Sequence, residues 1–258
     1  MKTTDVNFAL DGKLAVVTGA SEGLGRHFAQ LLVRAGATVA IAARNADKLQ
    51  DLATQIEADG GTAIWTTMDV TCSESVARAL DYFVSSVGVP DIVVNNAGRT
   101  ITRLILRQSE ADWDAVIDTN LKGCWLVATE AARRMVEAGN AGNIINVGSI
   151  LGERVAGGVA PYAISKAGVL HATKAMALEF ARFGIRANSL LPGYISTNLN
   201  SEFLASEDGM RLRKRIPTRR FNELTDLDGP LLLLASDAGR GMSGACVAVD
   251  GAHLVSSL

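Results

Sequence analysis

The chain has 258 residues, 48% of them hydrophobic and 20% charged, and its formal net charge is −2. This composition is typical of a globular domain that buries a sizeable core, and the small net charge gives no reason to expect a nucleic acid or an anionic membrane as a partner. The three cysteines are scattered without C-x-x-C spacing, which argues against a disulfide framework or a zinc site, and no apolar run approaches the roughly 20 residues that span a bilayer.

Short apolar segments alternate with longer helical patterns along most of the chain. The predicted strands are Leu14–Val17, Thr38–Ala42, Ala63–Thr67, Ile92–Val94, Asn143–Val147, Arg186–Leu190 and Ala245–Val249. The predicted helices are about Leu24–Ala35, Ala46–Ala58, Ser73–Val87, Ser109–Ala138 and Tyr162–Phe183. Short apolar strands separated by helices indicate the α/β class, with one Rossmann-like doubly wound parallel sheet of about seven strands. Helices should cover both faces, and ligands should bind at the carboxyl ends of the strands.

No repeat or Pro/Gly-rich linker divides the chain, so residues 1–258 are expected to form a single domain. The polar segment Asn198–Arg220 lacks a strand pattern and carries a dense run of basic residues. We interpret it as part of a lid over the ligand crevice, at about residues 194–220. The first ten residues lack the apolar core of a signal peptide, and a cytoplasmic protein is expected.

A glycine-rich segment at residues 18–25 joins the first predicted strand to the first predicted helix. A tight turn there needs a residue free to take positive φ, and a bound pyrophosphate needs backbone without a Cβ nearby. The start of the helix then offers unpaired N–H groups to the phosphates. The segment therefore predicts a dinucleotide site, formed by Gly19, Ser21, Glu22, Gly23, Leu24 and Gly25.

The end of the second strand indicates which dinucleotide binds. An NAD site would normally place a carboxylate there, to accept hydrogen bonds from the ribose 2′-OH. This chain has Ala43 followed by Arg44, whose guanidinium is suited to pairing with a 2′-phosphate. NADP(H) is therefore the predicted cofactor. NAD(H) remains the alternative if Arg44 is only a solvated surface charge.

Tyr162 and Lys166 are four residues apart and therefore share one face of a predicted helix. A tyrosine with its ordinary pKa of about 10 is a poor base at neutral pH. A nearby ammonium group, together with the positive ring of an oxidised nicotinamide, favours the phenolate. Ser149 precedes Tyr162 by 13 residues and follows the fifth predicted strand.

These motifs together resemble the short-chain dehydrogenase/reductase family, and within it the 3-oxoacyl-carrier-protein and carbonyl reductases, over about residues 10–252. The Gly-x-x-x-Gly-x-Gly spacing and Asn95-Asn96-Ala97-Gly98 after the fourth strand both match family motifs. The resemblance implies that a ketone and a secondary alcohol are interconverted by hydride transfer. Ser149 and Tyr162 would polarise the carbonyl, Tyr162 would deliver the proton, and Lys166 would bind the nicotinamide ribose and lower the pKa of Tyr162. Asn120 matches a helical asparagine that holds a water for the proton relay.

The resemblance also implies the remaining cofactor contacts. One group of residues would lie beside the adenosine half: Asp69, Val70, Asn96, Ala97 and Gly98. The other group would lie at the nicotinamide end: Tyr162, Lys166, Pro192, Gly193, Ile195 and Thr197. Glu22 departs from the pattern, because many NADP-using relatives have a basic residue at that position. His27, His171 and His253 are not spaced as metal ligands, and no metal is predicted.

The substrate is expected to meet the lid and the loops that face it, with Arg99, Val155, Tyr194 and Phe203 as candidate contacts. A basic run could attract an anionic substrate, or it could be a solvated helix face that Glu202, Glu207 and Asp208 partly neutralise; it comprises Arg211, Arg213, Lys214, Arg215, Arg219 and Arg220. Carrier-protein reductases tend to have basic residues just before the fifth strand, whereas Gly139–Asn143 has none. A small or medium ketone, neutral or anionic, is therefore favoured over a carrier-bound acyl chain.

Two enzymatic alternatives stay open, an NAD-dependent alcohol or polyol dehydrogenase and a 3-oxoacyl thioester oxidoreductase. A rival from another class is a non-catalytic NADP-binding scaffold, although the chain lacks none of the catalytic residue types. A homotetramer is expected, chiefly from the resemblance. The apolar helical faces around Asp114–Val127 and Ala167–Phe180, and the apolar C-terminal residues, agree with interfaces of that kind.

Overall fold

The computed structural model describes residues 7–196 and 204–256. Within these residues seven strands form one sheet: β1 Leu14–Thr18, β2 Thr38–Ala43, β3 Ala63–Thr67, β4 Ile92–Asn95, β5 Gly142–Val147, β6 Ile185–Pro192 and β7 Cys246–Val249. Every neighbouring pair is parallel, and the spatial order is β3-β2-β1-β4-β5-β6-β7. This sheet confirms the predicted fold class. The strand order reverses between β1 and β4, which is where ligands bind in doubly wound sheets.

Eight α-helices connect the strands of the described chain. They are α1 Gly23–Arg34, α2 Ala46–Ala58, α3 Ser73–Val87, α4 Glu110–Ile117, α5 Gly123–Glu137, α6 Ala160–Phe180, α7 Glu207–Arg215 and α8 Asp228–Ala235. Helices α1, α2 and α8 cover one face of the sheet, and α3, α5 and α6 cover the other. None of the described helices combines the length and apolar character that crossing a membrane requires.

The core has two layers because successive strand residues point to opposite faces of the sheet. Val17 of β1 joins Phe28 and Leu234 in the layer beneath α1 and α8. Val16, its neighbour, joins Phe83 and Ile144 in the layer beneath α3 and α5. Burial on both faces explains why the strands are apolar at almost every position rather than at alternate positions.

The predicted helical segment Ser109–Ala138 is helical along nearly its whole length, but it consists of two α-helices joined by a short turn of another kind. Ser109 caps α4 in a capping box with Asp112, and α4 ends at Ile117. A wider π-type turn, Asp118–Lys122, then leads into α5. Such turns are frequent at functional sites. The turn coincides with close packing, since a Cβ at Gly123 would lie 2.7 Å from Val70 Cγ2.

Helices α7 and α8 were not predicted. Helix α7 carries most of the basic run, and the Ser206 side chain caps it by accepting a hydrogen bond from the Gly209 amide at 3.2 Å. The Leu231–Leu234 run of α8 is apolar without a helical period, so the pattern gave no helix signal.

Candidate active site

A cavity of about 970 Å³ lies at the carboxyl ends of the strands. Its volume is near the upper end of the range for ligand pockets. Most of the residues predicted to bind cofactor or substrate line it: Gly19, Ser21, Glu22, Gly23, Leu24, Arg44, Asp69, Val70, Asn96, Ala97, Gly98, Arg99, Ser149, Tyr162, Lys166, Pro192, Gly193, Tyr194 and Ile195. Gly25, Asn120 and Val155 are not among its lining residues. Thr197 and Phe203 lie outside the described residues.

The turn between β1 and α1 passes so close to neighbouring backbone that side chains would not fit. Gly19 has a φ of +64°, and a Cβ there would lie 2.8 Å from the Ala97 Cα. A Cβ on Gly25 would overlap the Gly19 carbonyl oxygen and lie 2.5 Å from Asn96 Nδ2. Gly25 therefore stays outside the cavity and acts by packing, because it lets α1 begin directly beneath the turn.

Asn96 and Thr18 fasten this turn to the loop after β4. Asn96 Nδ2 donates hydrogen bonds to the carbonyl oxygens of Thr18 at 3.1 Å and Gly19 at 3.3 Å. In return, Thr18 Oγ1 accepts from the backbone N–H groups of Asn96 and Ala97 at 3.1 and 3.2 Å. Thr18 was not predicted as a site residue, because its only signal in the sequence is a hydroxyl at the end of an otherwise apolar strand.

Charged side chains meet at the end of the cavity formed by β2 and β3. Arg44 is exposed directly after β2, and the Asp69 carboxylate accepts hydrogen bonds from the Thr71 N–H at 3.0 Å and its hydroxyl at 2.8 Å. These bonds lower the pKa of Asp69, and the Arg44 charge adds to the effect. Glu22 Oε2 forms an ion pair with Lys48 Nζ at 2.6 Å. Lys48 also lines the cavity, and the sequence analysis did not identify it.

Ser149, Tyr162 and Lys166 meet on the wall of the cavity formed by β5 and α6. Lys166 is buried, its Nζ donates to the Val147 carbonyl oxygen at 2.7 Å, and it lies 5.7 Å from the centre of the Tyr162 ring. The Leu151 N–H donates to Ser149 Oγ at 3.1 Å and thereby orients the hydroxyl.

Burial shifts both titratable groups on this wall. It raises the pKa of Tyr162 above 10, against the opposing effect of a hydrogen bond with Ser149. It lowers the pKa of Lys166 to about 8. The chain by itself therefore holds Tyr162 protonated at neutral pH. The protein groups by themselves do not lower the pKa of Tyr162. The lowering expected from the sequence also involved the positive charge of an oxidised nicotinamide.

Asn120 lies behind this wall, in the π-type turn, and is 1% exposed. Its Oδ1 accepts from the Arg99 N–H at 2.8 Å, while Nδ2 donates to the Arg99 carbonyl at 2.9 Å and to Ser165 Oγ at 3.0 Å. Both amide hydrogens are thus used within the protein. The Asn120 side chain thus joins the loop after β4 to helix α6, which it contacts at Ser165, one residue before Lys166.

The candidate substrate contacts have different surroundings. Tyr194 lines the cavity and packs on His253, with ring centres 5.7 Å apart. Val155 is 86% exposed and is not among the residues that line the cavity. Its neighbour Arg154 turns instead to the C-terminal segment, where it donates to the His253 carbonyl and to Ser256 Oγ.

The basic run is only partly neutralised. Arg211 pairs with Glu207 at 3.2 Å and Asp208 at 3.5 Å, and Arg220 pairs with Asp226 at 2.5 Å. Among the residues that the structure describes, no carboxylate pairs with the three cations at the end of α7, Arg213, Lys214 and Arg215.

Comparison with known proteins gives the family. A sequence model described as enoyl-(acyl carrier protein) reductase matches residues 19–252. The gluconate 5-dehydrogenase of Gluconobacter oxydans is 35% identical over 250 residues, covering 96% of this chain and 97% of that protein. The 3-oxoacyl-[acyl-carrier-protein] reductase FabG of Pseudomonas aeruginosa is 36% identical over 248 residues, covering 96% of this chain and all of that one (100%).

A solved structure shares the whole architecture. The gluconate 5-dehydrogenase of Burkholderia cenocepacia, in complex with NADP and tartrate, superposes with a TM-score of 0.93 at 36% identity. The match covers 97% of this chain and 98% of that one. With the parallel sheet and the cavity at its carboxyl edge, these matches identify the chain as a member of the short-chain dehydrogenase/reductase family, an oxidoreductase that acts on CH–OH and C=O groups of small-molecule substrates with a nicotinamide cofactor.

Proposed function

We propose that this chain interconverts a ketone and a secondary alcohol with NADP(H), and that Tyr162 is its general acid and base. The observation that carries the proposal is the position of Ser149, Tyr162 and Lys166 together on one wall of a cavity that extends to Arg44. One elongated cavity can hold a dinucleotide with its reactive ring beside Tyr162. The glycine turn fits such a cofactor, because Gly19 and Gly23 line the cavity with backbone that carries no Cβ.

The cofactor supplies the hydride, and the protein supplies position and the proton. The Ser149 hydroxyl, oriented by the Leu151 N–H, holds the substrate oxygen. Tyr162 gives its proton to that oxygen, and its raised pKa keeps the proton in place at neutral pH. The Lys166 ammonium stabilises the phenolate left behind and holds the nicotinamide ribose. Asn120 fixes the loop and the helix that carry these groups.

The preference for NADP(H) over NAD(H) rests on the end of β2. Ala43 leaves no carboxylate to accept the ribose 2′-OH, and Arg44 provides a cation in the same cavity. We expect kcat/KM for NADPH to exceed that for NADH, and the Arg44→Ala variant to lose at least about tenfold of the preference. A preference for NADH that Arg44→Ala leaves unchanged would favour the NAD-dependent alternative.

A small anionic substrate, such as a hydroxy acid or keto acid, is supported by the basic run at the end of α7. Burial raises the pKa of Tyr194, which lines the cavity, and the Arg215 charge of this run acts to lower it. Arg213, Lys214 and Arg215 lack carboxylate partners among the described residues, and two of the proteins reported above are named for gluconate. The absence of basic residues at Gly139–Asn143 is weaker evidence about the substrate, because that segment lies at the amino end of β5 and the cavity lies at the carboxyl ends of the strands.

Assays with free keto acids, neutral ketones and acetoacetyl thioesters over a range of salt concentrations test the substrate class. The rates with keto acids should fall as salt screens the basic run, while the rates with neutral ketones stay constant. Turnover of the carrier-bound thioester alone would instead support the 3-oxoacyl alternative. Salt-independent rates with keto acids would show that the basic run is solvated surface.

We also propose a homotetramer. Helices α5 and α6 form an apolar groove of about 380 Å³, with Trp125, Val136, Met176, Phe180 and Phe183 among its lining residues. Trp125 is 49% exposed there, and contiguous apolar surface of this kind usually marks an interface. A second copy of the chain, with the same groove, is the expected occupant.

A further inference from the structure

Four charged side chains line the end of the cavity where the proposed 2′-phosphate would bind. Glu22 and Lys48 form one ion pair, with 2.6 Å between Oε2 and Nζ. Arg44 lies near Asp69, whose carboxylate is held ionised by two hydrogen bonds from Thr71. Two cations therefore balance two carboxylates, and this end of the cavity has no net charge.

Arg44 alone does not make this end favourable for a phosphate. A 2′-phosphate carries between one and two negative charges at neutral pH, by analogy with other phosphate monoesters. Without Lys48, it would approach one guanidinium and two carboxylates, a site with net negative charge. The Glu22 carboxylate would then repel the phosphate and would accept a hydrogen bond from a ribose hydroxyl instead.

We propose that Lys48 is a second residue that determines the preference for NADP(H), by masking the carboxylate of Glu22 and by pairing with the 2′-phosphate. This inference rests on the NADP(H) preference proposed above. It assigns to helix α2 the cation that many relatives carry in the glycine-rich turn, where this chain has Glu22.

The local structure allows Lys48 to contact both Glu22 and the phosphate. Lys48 is in the first turn of α2, and its backbone N–H donates to the capping side chain of Asn45 at 3.0 Å, so the start of the helix is fixed. The side chains of Lys48 and Glu22 are each 51% exposed. Exposed ion pairs are weak, whereas a lysine bonded to phosphate makes a stronger, charge-assisted contact. The Lys48 ammonium has three N–H donors, so it can bond to the phosphate while it stays beside Glu22.

The test compares the binding of two cofactor fragments, 2′,5′-ADP and 5′-AMP, by calorimetry without substrate or turnover. The protein should bind 2′,5′-ADP more tightly. Lys48→Ala should weaken 2′,5′-ADP by about 10-fold to 100-fold and change 5′-AMP by less than about twofold. Lys13→Ala is the matched control, because Lys13 forms a similar surface pair with Asp91 at 3.1 Å and does not line the cavity.

A double variant separates masking from pairing. Adding Glu22→Gln to Lys48→Ala should recover part of the lost affinity for 2′,5′-ADP, because the unmasked carboxylate is gone. Full recovery would overturn the direct pairing of Lys48 with phosphate, and no recovery would overturn the masking of Glu22.

The failure of this inference is distinct from the failure of the proposed cofactor preference. Suppose that the parent protein prefers 2′,5′-ADP, and that Arg44→Ala removes this preference while Lys48→Ala does not. Lys48 then has no such role, and the NADP(H) preference stands. If the parent protein binds both fragments equally, both proposals are wrong.

Discussion

Gly25 tests whether the glycine turn is fixed by packing. An alanine in a helix normally stabilises it by about 1 kcal/mol relative to glycine, and Gly25 is in the first turn of α1. Here the added Cβ would overlap the Gly19 carbonyl and lie 2.5 Å from Asn96 Nδ2 and 2.7 Å from the Gly19 carbonyl carbon. Overpacking of this kind costs about 1–3 kcal/mol. Because the obstacle is mainly backbone, we expect the upper part of that range, which outweighs the gain in helix propensity.

The Gly25→Ala variant should therefore lose about 1–2 kcal/mol of stability, after both effects are combined. For a chain of this length, that lowers Tm by about 2–8 °C. The displaced turn should also weaken NADPH binding at least about tenfold, which corresponds to about 1.4 kcal/mol. Scanning calorimetry measures the first effect, and a fluorescence titration with NADPH measures the second.

Gly229→Ala is the matched control. Gly229, like Gly25, is in the first turn of its helix, α8, but a Cβ there meets no described atom within 4 Å. That variant should keep or slightly raise Tm and leave NADPH binding unchanged. If Gly25→Ala behaved like Gly229→Ala in both measurements, the packing argument for the turn would be refuted.

Two further predictions concern the site and the assembly. Burial lowers the pKa of Lys166 to about 8, so its charge is present below that pH and lost above it. The kcat/KM for ketone reduction should fall as pH rises through about 8. The Lys166→Arg variant stays charged and should show this fall at higher pH. If the fall stayed at the same pH in the variant, another group would be responsible for it. Trp125→Glu should dissociate the proposed tetramer in sedimentation equilibrium while the chain stays folded. A parent protein that sediments at the mass of one chain, 27.1 kDa, would refute the assembly.

The sequence predicts the elements whose signals are local. Ala63–Thr67 and Ala46–Ala58 match the structure at both ends. The second of these is an amphipathic helix with a capping asparagine at Asn45. The grouping of Ser149, Tyr162 and Lys166 was predicted from the resemblance to a family, because a Tyr-x-x-x-Lys pair and a serine after a strand are weak signals by themselves.

The features that the sequence did not reveal depend on contacts between distant residues. The π-type turn at Asp118–Lys122 lies inside an apolar pattern that continues through it, and the contacts that accompany it are made with Arg99 and Val70. The exposed side chain of Lys48 looks like any solvated helix charge until the fold brings it to Glu22. Arg154 likewise meets the C-terminal segment only in the folded chain.

Single-turnover kinetics of Tyr162→Phe distinguishes proton delivery by Tyr162 from proton delivery by another group. The substitution removes one hydroxyl group and leaves the Lys166 contact with Val147 in place. With NADPH bound and ketone saturating at neutral pH, the rate of NADPH oxidation should fall by about 10²–10⁴-fold. NADPH binding, measured on the same sample, should change by less than about threefold. A variant that binds NADPH and keeps the parent rate of hydride transfer would contradict the account.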